Sequence, residues 1–253
     1  MEVHHHPKVE KKGFREYLLE FLMIFLAVTL GFFAETFREN LTEHSRARVF
    51  AASLLRDLEA DTAQLDAYRT YYRYAADNAD TLIGLLSRAE PREIPSGKLY
   101  WYGLWGGARR YFIPNDATFQ QMKSSGTLRY LTGTVAGGVA RYDRLCRQMQ
   151  ENDLMQNTVY TEVRKSRSRI FDFRYNDIAN NIVQANAVAF DQRRIDSFMA
   201  TNPPLLSYDR TQFNEYVELV RSRFMRSHVT QADSLIRQAT ELINELKKAY
   251  DPA

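Results

Sequence analysis

The chain has 253 residues, of which 45% are hydrophobic and 26% charged, and a formal net charge of +3. That length holds one large core or two small ones, and so slight a positive charge, with no dense Lys/Arg stretch in a binding motif, excludes nucleic acid as the expected partner. Cys146 is the one cysteine; it rules out an intramolecular disulfide framework and reads as a small core residue rather than a nucleophile.

Residues 1–13 carry His4, His5 and His6, then Pro7 and a Lys/Glu-rich run. A zinc site needs three or four convergent ligands. Consecutive histidines do not all face one ion in a regular helix, and no Cys or Asp stands near, so the segment reads as a tag-like cytoplasmic tail without a metal.

From Phe14 to Ala34 the chain reads FREYLLEFLMIFLAVTLGFFA, uncharged from Phe21 onward. About 20 apolar residues rising about 1.5 Å each match a hydrocarbon core about 30 Å thick, so residues 14–37 are predicted as one transmembrane helix. A cleaved signal peptide shares the basic flank, yet Phe32, Phe33 and Phe37 stand where the peptidase needs small residues. A buried core helix is the other alternative, favoured for runs of only about 10 to 14 residues. Glu20 is an ionisable group near one end of the span, placed either among headgroups or, in a homo-oligomeric pore, in a ring of carboxylates. Ala27, Gly31 and Ala34 form a small-residue face that lets two helices approach. Lys8, Lys11, Lys12 and Arg15 precede the span, against Arg38, Arg46 and Arg48 after it. This bias places the N-terminus in the cytoplasm and the C-terminal bulk of the chain outside.

Residues 38–253 are expected to fold in water. Ala51, Leu54, Leu58, Leu65, Tyr68, Tyr72, Ala75, Ala79, Leu82 and Leu86 step mostly by threes and fours, a coiled-coil or bundle seam broken only by Asp61. Pro91 and Pro95 end the helix, and residues 89–115 are expected to be a long loop. It holds Tyr100, Trp101, Tyr102, Trp105, Arg109, Arg110, Tyr111 and Phe112, a composition typical of interfaces. Two readings stand equal: a surface for a partner or ligand, and an internal plug that buries the indoles; contact with lipid headgroups is a third.

Asn115 or Asp116 is placed to cap a short helix from Ala117 to Ser124, with Gly126 as its stop. The segment Thr118-Phe119-Gln120-Gln121-Met122-Lys123-Ser124-Ser125-Gly126-Thr127-Leu128-Arg129, together with Lys11 to Glu35, resembles an uncharacterised family of bacterial single-pass membrane proteins frequent in Bacteroidota-type genomes. The resemblance implies an inner-membrane helical protein of unassigned activity and no catalytic residue. Ser125-Gly126 and Gly137-Gly138 lack the Lys-Ser/Thr of a phosphate-binding loop.

A second long helix is predicted from Thr134 through Val135, Val139, Tyr142, Cys146, Met149, Gln156, Tyr160 and Val163 to about Phe171. Its end bears Arg164, Lys165, Arg167, Arg169 and Arg174, read as a solvated face suited to a helix C-terminus ahead of a patch for lipid phosphate or an acidic partner. Shorter helices are predicted from Asp177 to Phe190 and Asp191 to Ala200. Asp209 then caps one last long helix, with a seam from Phe213, Tyr216, Val217, Val220 and Phe224 through His228 to Leu246. His228 reads as a satisfied core histidine.

No HExxH, GxSxG or CxxC occurs. The expectation is an all-α chain, one transmembrane helix followed by an antiparallel bundle of long helices, oligomeric and without a cofactor. As function it points to a non-enzymatic, membrane-anchored interaction or sensory scaffold whose partners are the bilayer and either its own copies or another envelope protein. The rivals are a pore or transport-accessory subunit using Glu20 and an envelope enzyme without a recognisable motif.

Overall fold

The structure, a computed structural model, describes residues 13–184 and 191–250. The histidine run with its neighbouring lysines, and the end of the helix predicted up to Phe190, lie outside the described residues. Those residues hold eight α-helices and no strand: α1 (Phe14–Leu86), α2 (Ser96–Leu104), α3 (Ala117–Ser125), α4 (Gly133–Ile170), α5 (Phe173–Gln184), α6 (Gln192–Ala200), α7 (Arg210–Arg221) and α8 (Met225–Tyr250).

The chain divides into two compact units, Met1–Val49 and Phe50–Ala253. In the first, the described residues form the start of α1, which holds the chain's one stretch long and apolar enough to cross a membrane among them. Between Phe14 and Ala34 every residue is exposed except Glu20 and Thr29, which are half-exposed.

In the second unit the seam residues of α1 from Ala51 to Leu86 are all buried, as their spacing predicts. Side-chain pairs give the directions. Glu59 meets Lys247, Arg69 meets Asp233, and Asp77 and Asp80 meet Arg226, so α8 runs antiparallel to α1. Asp61 meets Tyr142 and Asp153 lies beside His228, which sets α4 parallel to α1 and antiparallel to α8. Capping is local: Thr132 accepts from Val135 N, Asp191 from Arg193 N and Arg194 N, and Asp209 from Gln212 N. Gly126, at φ 72°, ends α3 in the left-handed conformation that glycine adopts without a steric penalty.

Three sequence expectations are corrected. Residues 89–115 are not one irregular loop: a 3-10 turn (Pro91–Glu93), α2 and a second 3-10 turn (Trp105–Gly107) occupy its first two thirds. Its glycines conceal the helix, since each lowers helical propensity. They are there for packing: a Cβ on Gly97 would lie 2.0 Å from the Met199 carbonyl oxygen, and one on Gly103 would lie 2.6 Å from the Phe171 ring. Second, α5 begins at Phe173 rather than Asp177. Third, the last long helix is two helices. Between α7 and α8 Phe224 takes φ 47° and is 67% exposed, while Arg223 is 2% exposed. The seam expected to bury Phe224 instead buries its neighbour, because the Arg223 guanidinium donates to the Ala108 carbonyl at 2.7 Å and lies over the Tyr160 ring.

Candidate functional site

The eight aromatic and arginine residues expected at a partner surface are mostly interior. Tyr100, Trp101, Trp105 and Phe112 are buried, and Tyr102, Arg109 and Arg110 are half-buried. Tyr111 alone of the eight is exposed. The internal plug is therefore the correct one of the two equal readings for the buried four. Trp105 packs edge-on against Tyr71, Tyr74 and Trp101, and Tyr100 donates to the Pro204 carbonyl at 2.9 Å. Offset and edge-to-face pairs of this kind add to the burial of the rings.

The segment after α2 is strapped to α1. Arg109 N donates to Tyr71 Oη at 3.1 Å, and Arg110 N donates to Tyr72 Oη at 3.2 Å. The Arg109 guanidinium lies between the Tyr111 and Tyr160 rings, at 4.5 and 4.7 Å, and donates to Asn157. Arg110 reaches the Ala67 carbonyl at 3.2 Å.

Beneath this strap lies a polar cluster that sequence reasoning mostly missed. His228 Nδ1 is 2.7 Å from Tyr68 Oη, its ring stacks on Tyr72 at 4.2 Å, and Asp153 stands 3.6 Å away. Burial pushes the Asp153 carboxyl up to about 6 against the pull of Arg109 and Arg223. Burial, helped by Arg223, pushes His228 down to about 4. At neutral pH the imidazole is thus uncharged. The remaining space among these side chains is about 10 Å³, room for about one water. No substrate enters there. His228 is a core histidine, as expected.

A larger opening lies beside Asp61, the single polar break in the α1 seam. Its Oδ1 accepts from Asn115 N and Nδ2, each at 2.8 Å, and its Oδ2 accepts from Tyr142 Oη at 2.8 Å. Burial raises the Asp61 pKa, and the three donors oppose that rise. Next to it is a cavity of about 280 Å³. Leu54, Leu58, Phe119, Val139 and Leu242 give it apolar walls, and Asp57, Lys123 and Gln150 add polar groups. An apolar pocket with a few convergent polar groups is the usual form of a small-molecule site. Cys146 also lines it, but burial pushes the thiol up to about 12, so it is no nucleophile at neutral pH. The segment singled out around Met122 supplies Phe119, Gln120 and Lys123 to this cavity. A lone acid at a seam position was the sequence signal for it.

In the first unit Ala27, Gly31 and Ala34 are exposed on α1, and Glu20 makes an interaction within the chain. Among the described residues no group of three or more His, Cys, Asp or Glu side chains is placed to hold a metal ion. Comparison with protein-family models, curated proteins and solved structures returns no match. The likeness to the bacterial single-pass family therefore rests on its two sequence blocks alone.

Proposed function

We propose that the chain is a membrane-anchored, non-enzymatic scaffold, tethered by residues 14–37 and binding a small ligand in the Asp61 cavity of its bundle. The observation that carries the anchor is the apolar stretch of α1: its mean hydropathy over 18 residues is 2.1, and none of that window is buried inside the protein. Surface so apolar needs a cover, and its length fits a bilayer. The flanking charge bias orients the N-terminus toward the cytoplasm of a bacterial inner membrane and the bundle toward the periplasm. The sensory part of the reading draws on helix continuity, since Leu54, Asp57, Leu58 and Asp61 belong to the same helix as the apolar stretch. The Ala27, Gly31 and Ala34 face supplies a route to self-association or to pairing with another envelope protein.

The test is vesicle flotation of the full chain beside Ile24→Lys/Val28→Lys. The wild-type chain is expected to float with the lipid and resist carbonate extraction, and the double variant to lose most of the floating fraction while keeping its helical circular dichroism. A wild-type chain that stays in the soluble fraction as a monodisperse species overturns the anchor.

A further inference from the structure

From the C-terminal half of α4 to the start of α5 the cations divide into two kinds. Lys165 pairs with Glu162 at 2.8 Å, Arg169 with Glu215 at 3.1 Å, and Arg174 with Asp172 at 2.5 Å. Arg167 differs. Its side chain is half-buried against Gly107, where a Cβ would approach Nη1 to 3.1 Å. Among the described residues it makes no ion pair or hydrogen bond from its guanidinium. Burial lowers its pKa, opposed by Tyr216, Tyr160 and Asp177 and reinforced by Arg164.

The guanidinium borders a cavity of about 340 Å³ between α4 and α5, lined also by Tyr160, Arg164, Asn176, Asp177 and Asn180. A second observation points into the same space. Asn176 lines it too: its carboxamide oxygen is buried within the protein without a hydrogen-bond partner, which leaves the NH2 group as the polar end open to a ligand. A guanidinium that makes no ion pair and an unbonded carboxamide NH2 thus share one opening, with Asp177 on its wall.

The geometry points to a binding site for a small organic monocarboxylate, its carboxylate held by the Arg167 fork and completed by Asn176. A guanidinium presents two parallel N–H donors that match a carboxylate, and the cavity has room for a short organic body beside it. Asp177 on the wall offsets one of the two arginine charges, Arg164 and Arg167, and the single positive charge left over matches a monoanion better than a dianion such as phosphate. The site is separate from the Asp61 cavity and stands whether or not that cavity is occupied.

The test is calorimetric titration of the full chain in detergent with sodium propionate, with sodium chloride and inorganic phosphate as parallel probes at matched ionic strength. Propionate is expected to bind saturably, phosphate at least tenfold more weakly, and chloride without saturation. Arg167→Gln should abolish propionate binding, and Arg167→Lys, which keeps the charge but loses the fork, should weaken it about tenfold or more, with unchanged circular dichroism. Arg169→Gln, whose partner is Glu215, should bind as wild type. Absence of saturable propionate binding in the wild-type chain overturns the proposal. So does equal affinity in the folded Arg167→Lys variant, even where Arg167→Gln fails to fold.

Discussion

Asp153 and His228 are buried side by side, and burial moves them in opposite directions. The Asp153 pKa rises from 3.8 to about 6, so between those values the folded chain holds a proton that the unfolded chain has lost. Its contribution to stability falls as pH rises through that window. The His228 pKa falls from 6.5 to about 4, so there the unfolded chain binds the extra proton and stability rises with pH. The two slopes oppose each other and are of similar size, on the order of 3 kcal/mol each across the window. Wild-type stability is therefore expected to owe little net pH dependence to this pair between pH 4 and 6.5. Urea unfolding of Asp153→Asn should show stability climbing over that range, and His228→Gln should show it declining. Identical pH profiles in both variants would contradict the assignment. None of this was visible from the sequence beyond an apolar-side histidine, because Asp153 enters the core from α4 and Arg223 from the break between α7 and α8.

The elements divide by how local their causes are. The α1 seam, α3 with its Gly126 stop, α4 and α6 were legible because periodicity and caps lie within a few residues of one another. The helix α2 was not, since its glycines serve contacts with Met199 and Phe171, far away in sequence. The break between α7 and α8 has no glycine or proline to announce it. It exists because Arg223 gains the Ala108 carbonyl and the Tyr160 face, at the expense of placing Phe224 at a positive φ. A left-handed conformation costs an ordinary L-residue roughly 1–2 kcal/mol, and asparagine adopts it more readily. With Phe224 67% exposed, little packing is lost on replacement. Phe224→Asn is expected to stabilise the chain by about 0.5–1 kcal/mol in urea unfolding; a loss of similar size would mean that the Phe224 ring holds the break in place.

For the molecule as a whole, hydropathy identified the apolar stretch directly, while neither candidate cavity could be read from a motif. The Asp61 cavity draws on α1, α3, α4 and α8, and the Arg167 cavity on α4, α5 and the turn at Gly107; both are products of packing. The aromatic segment shows the reverse case, an interface-like composition that folds inward as core. What remains exposed and apolar at scale is the stretch from Phe14 to Ala34, and the proposed role depends on a bilayer covering it. The most direct measurement places single nitroxide labels at successive positions from Leu18 to Ala34, in a Cys146→Ser background reconstituted in vesicles, and reads collision with oxygen and with a polar nickel chelate. A membrane span predicts oxygen access that climbs toward Ile24 to Val28 and falls at both ends, with nickel access doing the opposite. High nickel access throughout, or access alternating with the 3.6-residue period of a helix packed on protein, would contradict the anchor.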